Sequence, residues 1–421
     1  MTRPNPDKKA DIEADRRADR EGTSSDRHDP ISLMEPMLIS ESSRFRNGLA
    51  DLAVEIAARS AGFRRSLPRG IVAALADLVR SMNCYYSNLI EGHDTHPIDI
   101  ERALKNDYSK DVGKRNLQLE AKAHIEVQRW IDEGAIRGRA ATAAAVCEIH
   151  RRFCRKVPDE LLWVRSPETG EKIKVVPGQL RKRDVRVGRH IPIGPGAVPR
   201  FLERFENVYG HLGKAEAILA TAAAHHRLVW IHPFLDGNGR VARLMSHATL
   251  LETLDTGAIW SVARGLARNV EEYKQKLANC DLERRNDLDG RGHLSEEALA
   301  QFTRFFLATC LDQISFMEGL VDPERLKTRI VIWAEEEIRL GTLPTKAGNV
   351  LEALLYRGEL QRGEVGNILG TTARHARRIV AALTARNVLV SEGPRAPLRL
   401  AFPAAVASRW MPGLFPEKTG P

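Results

Sequence analysis

The sequence predicts a mainly α-helical protein that carries one short β-hairpin and ends in a separate helix-turn-helix unit. Apolar residues recur at helical spacing through most of residues 31–320. Within that region, residues 176–199 have β-branched side chains around a glycine turn, which predicts a short hairpin. After residue 322 the pattern changes again: two helices, a turn, a third helix and two strands succeed one another.

The helical region divides into segments of ordinary length, which are bounded by polar or glycine-containing stretches. Before the most informative motif, the segments that we predict to be helical are 45–61, 70–91, 116–133, 140–154, 199–210 and 215–230. After it, we predict a helix over 240–254 and a last one that ends near Gly319.

Composition excludes several classes of protein. A chain of 421 residues with 43% hydrophobic content can bury its own core without disulfides. Its five cysteines are scattered and include no C-x-x-C pair, which favours a reducing, cytoplasmic compartment. No run of about 18 apolar residues occurs, so no membrane span is expected. Residues 1–29 hold 15 charged side chains and predict a disordered tail over 1–30.

Residues 232–243 read His-Pro-Phe-Leu-Asp-Gly-Asn-Gly-Arg-Val-Ala-Arg, a combination that predicts a nucleotide-phosphate site. Glycines allow backbone N–H groups to approach phosphate oxygens, and arginines neutralise a polyphosphate. The acid can hold a hard cation, and the histidine can accept a proton from an attacking hydroxyl. Because a helix is predicted on each side, a phosphate at the start of the second helix would meet unpaired N–H donors.

The same segment resembles the signature of the Fic (Fic/Doc) family, H-x-F-x-[DE]-G-N-G-R-x-x-R, at every specified position. The resemblance implies a Fic-type helical bundle with a hairpin flap, and transfer of AMP from ATP to a protein hydroxyl. It also implies that His232 deprotonates the target hydroxyl and that Asp236 binds Mg²⁺, with Mn²⁺ as an alternative. Phe234 would pack beneath the loop as its anchor.

The remaining motif residues would contact the nucleotide. By resemblance, Gly237, Asn238 and Gly239 surround the α- and β-phosphates, Arg240 lies nearby, and Arg243 reaches the γ-phosphate.

Two neighbouring positions complete the comparison with the family. Asn269 and Tyr273 are similar to the family's N-x-x-x-Y segment near the adenine, and Asn269 is the expected base contact. Many family members carry an acidic residue three positions before the motif histidine, whereas this chain has Val229. What supports the ring of His232 is therefore left open by the sequence.

A second match lies upstream, where residues 87–92 read Ser-Asn-Leu-Ile-Glu-Gly and fit the family's inhibitory pattern [ST]-x-x-x-E-[GN]. Ser87 and Glu91 are four residues apart and therefore share a face near the end of a predicted helix. The carboxylate of Glu91 could pair bidentately with Arg243 and occupy the guanidinium that would otherwise bind the γ-phosphate. This resemblance implies an autoinhibited enzyme whose brake precedes the catalytic core.

The predicted hairpin over 176–199 resembles the family's flap, whose exposed strand edge holds a target segment by main-chain pairing. Its basic residues fit either a solvated rim or specific contacts; they are Arg181, Arg186, Arg189 and His190. Elsewhere, no histidines form spaced metal-ligand pairs, and we expect four of them to be core or surface residues: His93, His96, His124 and His150.

The C-terminal unit is typical of a winged helix-turn-helix. We predict helices over 348–356, 361–369 and 371–383, the last capped by Thr371, then two strands around a Gly-Pro loop within 388–400. Residues 325–421 hold 15 lysines and arginines against 8 acids, so they contribute +7 of the net charge of +9. The third helix would present its arginines to DNA, although dimerisation or target presentation fits equally well; they are Arg374, Arg377 and Arg378.

These observations divide the chain into a disordered tail (1–30), an N-terminal helical region with the inhibitory helix (31–110), a Fic catalytic core (111–322) and a winged-helix domain with its tail (323–421). The leading hypothesis is an autoinhibited protein adenylyltransferase that modifies a Tyr, Thr or Ser hydroxyl of another protein or of itself, and that could also remove AMP. The alternatives are transfer of another phospho-group or nucleotide, and a DNA-binding regulator that uses the Fic fold as a nucleotide sensor. A homodimer is compatible with each hypothesis.

Overall fold

The computed structural model describes residues 29–166 and 170–416. The charged tail expected over 1–30 therefore lies almost entirely outside the described residues. Within them the chain is mainly helical, as the apolar periodicity predicts. No helix of that part of the chain is both long enough and apolar enough to cross a bilayer.

The helices before the motif begin and end within a few residues of the predicted positions. Two kinds of element were not predicted: the short helix that begins at Pro97, and the 3-10 turns. The α-helices are α1 (Arg46–Arg65), α2 (Arg69–Ile90), α3 (Pro97–Leu104), α4 (Val112–Asp132), α5 (Ala143–Cys154), α6 (Val198–Tyr209) and α7 (Lys214–Ile231).

After the motif the chain forms α8 (Asn238–Leu254), α9 (Ala263–Arg268), α10 (Val270–Asn279) and α11 (Glu296–Leu320). Periodicity predicts α8 and α11 well because both are long. The helices α9 and α10 were missed, since each is too short to show a clear repeat.

The centre of the fold is α7, whose side chains are buried on every face after its first turn. A helix that is apolar or small all round belongs inside a bundle. Its most extensive contact is with α8, and α1, α6 and α11 also pack against it. In turn α8 contacts α2, α4 and α5. The loop that joins α7 to α8 is therefore held by the core on several sides.

The hairpin expected over 176–199 is wrong in its position. The antiparallel pair is formed upstream by β1 (Trp163–Arg165) and β2 (Lys172–Lys174). Residues 176–199 contain one isolated bridge, between Val187 and His190. A ladder does not form there because backbone groups of this segment bond to other parts of the chain, as when Arg181 N–H donates to Pro233 O at 2.9 Å.

The C-terminal part contains a helical layer and a three-stranded antiparallel sheet in the order β3-β5-β4. Two of its helices, α12 and α16, were not predicted. The elements are α12 (Pro323–Arg339), α13 (Ala347–Arg357), β3 (Glu359–Leu360), α14 (Val365–Ile368), α15 (Ala373–Ala385), β4 (Leu389–Val390), β5 (Leu398–Leu400) and α16 (Ala404–Trp410).

Two local predictions in this part need correction. The helix expected over 361–369 is the single turn α14, because a turn at Gln361–Glu364 precedes it. The cap of α15 is Thr372, whose hydroxyl accepts from His375 N–H at 3.3 Å, and not Thr371.

The C-terminal part packs along α2. At the start of α2, Gly70 lies so close to the carbonyl of Gly358 that a Cβ would not fit. Near its end, the hydroxyl of Tyr86 donates to Leu414 O at 2.9 Å. The helix that carries the predicted inhibitory residues thus touches both the core and the C-terminal part.

Four of the buried histidines lie on core helices and have strongly lowered pKa values: His124, His150, His225 and His226. Burial, which disfavours the charged ring, lowers the pKa of His124 and His225 to about 3 and that of His150 and His226 to about 4. All four rings are therefore neutral in the folded protein at pH 7, whereas in an unfolded chain they titrate near 6.5.

We expect the protein to lose stability between pH 7 and pH 5. In that window the histidines of the unfolded chain bind protons, whereas the buried rings of the folded protein stay neutral. The free energy of unfolding therefore rises with pH. Each group contributes at most about 1.4 kcal/mol per pH unit below 6.5. His232 adds to the effect, because burial also lowers its pKa to about 4, whereas His93 opposes it, because its bond to Glu120 raises its pKa; one group therefore opposes five. Urea-unfolding midpoints at pH 7, 6 and 5 provide the measurement.

The matched variant for this prediction is His124→Leu. The Nδ1 atom of His124 is buried without a hydrogen-bond partner among the described residues, so an apolar replacement leaves no new polar group unsatisfied. The free energy of unfolding of the variant should change less between pH 7 and pH 5 than that of the parent, and the difference should equal the contribution of about one histidine. Equal midpoints at pH 7 and pH 5 in the parent would contradict the prediction.

Candidate functional site

The motif forms a tight loop because both of its ends adopt left-handed backbone conformations. His232 ends α7 with a φ of 51°, and Gly237 precedes α8 with a φ of 80°. The first is unusual for a residue with a side chain, while the second is natural for glycine. The chain thereby reverses direction within six residues and brings His232 next to the start of α8.

The loop is fixed from within by Asn238 and Phe234. The side-chain oxygen of Asn238 accepts from Phe234 N–H at 3.0 Å, and its amide donates to Phe234 O at 2.9 Å. The ring of Phe234 is fully buried and stacks on His150 with a centroid separation of 3.9 Å. Asn238 was expected to surround the phosphates, but the loop itself uses its side-chain amide. What it can offer an anion is its backbone N–H.

The ring of His232 is held in one tautomer. Its Nδ1 lies 3.3 Å from Val229 O, and a carbonyl can only accept, so Nδ1 carries the proton. Burial lowers the pKa of His232 to about 4, although the bond to Val229 O acts in the opposite direction. At neutral pH the ring is neutral and Nε2 presents a lone pair. A backbone carbonyl thus orients the ring, so the valine side chain at 229 does not matter for this contact.

Backbone donors converge at the start of α8. The first intrahelical bond runs from Val241 N–H to Gly237 O, so the N–H groups of Asn238, Gly239 and Arg240 precede it. These orphan donors and the positive end of the helix dipole form a site suited to an anion.

The side chain of Arg240 turns away from these donors. Its Nη2 donates to Glu120 at 2.5 Å and lies 3.1 Å from Nδ1 of His93, and both Arg240 and Glu120 are buried. Arg240 lies in the first turn of α8, but its guanidinium is directed towards Glu120. The reason is a carboxylate from α4, and no pattern in the sequence indicates that α4 meets the motif here.

Arg243 joins the motif to the end of α2. Its Nε donates to the hydroxyl of Ser87 at 2.8 Å, and its Nη2 donates to Ser87 O at 3.1 Å and to Glu91 Oε1 at 2.5 Å. The expected bidentate pair with Glu91 is wrong: one nitrogen reaches the carboxylate, and Ser87 takes the other contacts. The structure does bring together these three residues, although Arg243 is separated from the other two by more than 150 positions in the sequence.

The carboxylate of Glu91 is ionised at neutral pH. Burial by itself raises its pKa, but the charges of Arg243 and Arg240 outweigh that effect and lower the pKa below its ordinary value. A Cβ at Gly239 would lie 2.7 Å from Glu91 Oε1, so the carboxylate rests directly on the first turn of α8. It therefore occupies the place where an anion could use the helix N-terminus.

The other candidate residues differ in exposure. Asp236 is exposed, and its carboxylate has no hydrogen-bond or ion-pair partner in residues 29–166 and 170–416. Asn269 joins α9 to α10, and its amide donates to Gly265 O at 3.1 Å. Tyr273 is buried, with its hydroxyl 2.8 Å from Nε2 of His225, so it belongs to the core beneath the site.

Two residues that support the loop were missed. The guanidinium of Arg181 is buried and donates to His232 O at 2.7 Å and to Ile193 O at 2.5 Å. His150 accepts from Gly178 N–H at 2.8 Å and donates to Asp236 O at 3.2 Å. The position of His150 on the apolar face of α5 was a usable signal for burial. For Arg181 there was none, because its basic neighbours are exposed.

Comparison with known proteins agrees with this geometry. Residues 140–250 match the model of the Fic/DOC family. A protein of Drosophila erecta named Protein adenylyltransferase Fic is 33% identical over 169 residues, which are 40% of this chain and 31% of that protein. The protein of the same name from Drosophila melanogaster gives the same figures. The match thus spans about a third of the length of these relatives.

Among solved structures, a Fic family protein from Desulfovibrio desulfuricans G20 aligns with a TM-score of 0.49 at 17% identity, covering 86% of this chain and 98% of that one. The family match includes α5, the loop at 232–237 and most of α8. Residues 140–250 are therefore similar to the Fic/DOC family, and they include the loop between α7 and α8.

Proposed function

We propose that this protein is a protein adenylyltransferase, which transfers AMP from ATP to a Tyr, Thr or Ser hydroxyl of a protein and which Glu91 holds inactive. The observation that carries the proposal is the neutral ring of His232, with Nε2 available, beside the orphan N–H donors of α8. A base next to an anion site is what attack of a hydroxyl on a phosphate requires. The name of the Drosophila relatives supports AMP as the transferred group.

The nucleotide is proposed to bind across the start of α8. The N–H groups of Asn238 and Gly239 would donate to the α- and β-phosphate oxygens, and Arg240 would contribute through its backbone. Arg243 would hold the γ-phosphate after it leaves Glu91, because a guanidinium pairs with phosphate as it does with carboxylate. The amide of Asn269 is the proposed contact to the adenine.

The donor set suits Mg²⁺. This cation is usually held by one or two carboxylates together with substrate phosphates, and Asp236 supplies one exposed carboxylate without another partner among the described residues. When bound there, the ion would polarise the phosphate oxygens and neutralise developing charge. Groups of three or more candidate metal-ligating side chains do not occur in the described part of the chain, so Asp236 is proposed to share the ion with the nucleotide.

The reaction follows from these positions. The target hydroxyl attacks the α-phosphorus while its proton passes to Nε2 of His232. A bond forms between that oxygen and the phosphorus as the bond to the bridging oxygen of the β-phosphate breaks, and pyrophosphate leaves. The N–H groups of α8 stabilise the negative charge that spreads over the α-phosphate.

Glu91 is proposed to block this reaction through Arg243. With the guanidinium engaged by Glu91 and Ser87, the γ-phosphate lacks its cationic partner and the triphosphate cannot extend in line for attack. The carboxylate of Glu91 also places a second polar side chain, besides His232, next to the motif. We propose that this group allows removal of AMP from a modified protein as a secondary activity.

A second function is favoured by the C-terminal part. The order of α13, β3, α14, α15, β4 and β5, with β5 in the centre of the sheet, supports assignment of 323–421 as a winged helix-turn-helix domain. Along α15 three arginines are exposed and have no carboxylate partner among residues 29–166 and 170–416: Arg374, Arg377 and Arg378. We propose duplex DNA as a partner of this face.

Replacing Glu91 with glycine should raise self-modification by about 10²-fold, the scale of one strong contact to transition-state charge. The reason is that Arg243 becomes free for the γ-phosphate. Transfer of label from α-labelled ATP, with intact mass after reaction, provides the measurement. Glu133→Gly is the matched control, since Glu133 also caps a helix end but lies at the far end of α4. Equal labelling of the two variants would remove the brake from the proposal.

His232→Asn, made in the Glu91→Gly background, should reduce transfer by at least ~10²-fold while leaving the Kd for ATP within a few-fold. Asparagine tolerates the left-handed backbone at this position but cannot act as a base. Calorimetric titration with ATP and the α-label assay provide the two readouts. Loss of ATP binding in a variant with a normal melting temperature would assign His232 to binding and not to proton transfer.

Arg374→Ala/Arg377→Ala should weaken retention on a duplex DNA and lower the dependence of log K on log salt by about 1 for each arginine that neutralises a phosphate. Arg325→Ala/Arg357→Ala is the control with the same charge change on exposed residues of α12 and α13. Titrations of a labelled duplex at several salt concentrations provide the measurement. Identical salt slopes for both variants would exclude this face.

A further inference from the structure

The segment at residues 182–189, called the basic loop below, is anchored at one end to the motif loop at residues 232–237, called the catalytic loop below, and at the other end to the last turn of α7. Before it, Arg181 donates from its backbone to Pro233 O and from its side chain to His232 O. After it, Nε2 of His190 lies 2.8 Å from Trp230 O. Every residue between these anchors is within four residues of one of them, so its Cα lies within about 14 Å of the Cα of Arg181 or His190.

The basic loop presents uncompensated positive charge. It holds four cations, all exposed, against one acid. Arg183 pairs with Glu171 at 2.7 Å, but the other three have no carboxylate partner in the part of the chain that the structure describes: Lys182, Arg186 and Arg189. At physiological salt the Debye length is about 8 Å, so these charges act mainly on a segment that lies directly against the basic loop.

Apolar side chains are exposed on the same surface. Val176, Val187 and Ile191 are 46%, 39% and 59% exposed, although β-branched residues are usually buried. Val176 lines a cavity of about 180 Å³, which lies between the β2 strand, residues 179–183 and Leu235 of the catalytic loop. It has room for one aliphatic side chain. Charged groups that border exposed apolar groups are typical of a protein-binding surface.

We infer that the basic loop selects the protein target by charge. The hydroxyl to be modified lies in an extended segment whose flanking residues are acidic and which places one aliphatic side chain in the cavity next to Leu235. This inference rests on the proposed function, since it names the class of segment that the transferase accepts. Nucleic acid also carries negative charge, but it has no aliphatic group for the cavity or for Val176, Val187 and Ile191.

Three synthetic peptides of equal length test the inference. Each has one central Thr and one Leu at the same place, and the flanking residues are Glu, Gln or Lys. Binding is measured by fluorescence anisotropy with the full-length Glu91→Gly protein without nucleotide, and transfer is measured separately with α-labelled ATP. We expect the Glu peptide to bind at least ~10-fold more tightly than the Lys peptide, with a difference that shrinks at high salt.

Lys182→Glu/Arg189→Glu should invert this order, so that the Lys peptide binds more tightly. The control, Arg325→Glu/Arg357→Glu, changes the net charge equally but is remote from the loop in the sequence and should keep the order of the parent. Lys182→Ala/Arg189→Ala should remove the preference without inversion, which guards against a fold defect in the reversed variant. Unchanged preference in the reversed variant, or equal binding of all three peptides to the parent, overturns the inference.

Two further outcomes are informative. If a single-stranded oligonucleotide binds more tightly than the Glu peptide and loses its affinity in the Lys182→Glu/Arg189→Glu variant, the surface is a nucleic-acid site and the inference is wrong. If binding follows charge as expected but no α-label is transferred, the acidic-segment preference stands and adenylyl transfer fails. The two proposals therefore fail in different measurements.

Discussion

The guanidinium of Arg243 is the group around which the site is organised. Its side chain is 4% exposed, and a buried cation is tolerated only with acceptors close by. In this structure Ser87 and Glu91 supply them, both from the end of α2. If Glu91 moves away, Arg243 keeps its contacts to Ser87 but loses its anion, which the γ-phosphate would replace in the proposed function. The side chain of this buried arginine thus links the end of α2 to the start of α8.

The loop between α7 and α8 is fixed by backbone groups and by buried side chains. Asn238 closes it from within, Arg181 and His150 hold its carbonyl groups from outside, and Val229 O sets the tautomer of His232. Most of these contacts are made by or to the main chain. Substitution at position 229 therefore leaves the orientation of His232 intact, while the loop as a whole depends on a few buried polar side chains.

The helix α2 contacts both the helical core and the C-terminal part. One face of α2 packs in the core, and Glu91 caps the C-terminal end of this helix. Another face packs against the C-terminal part through Gly70 and Tyr86. On the next helix, α3, Glu101 also contacts the C-terminal part, since it accepts from Ala404 N–H at 2.8 Å. The helix that positions the carboxylate is therefore held in place from two sides.

Periodicity is a local property of the chain, and it was enough to predict the long helices. The contact between Glu91 and Arg243 was expected from the resemblance of two motifs to the family's patterns. The partners of the other charged groups became known with the folded chain. Arg240 binds Glu120, Arg181 is buried under His232, and the hairpin lies at 163–174 instead of 176–199. The physical reason is that an ion pair or a backbone bond depends on which distant elements meet, and a single sequence carries no record of those distances.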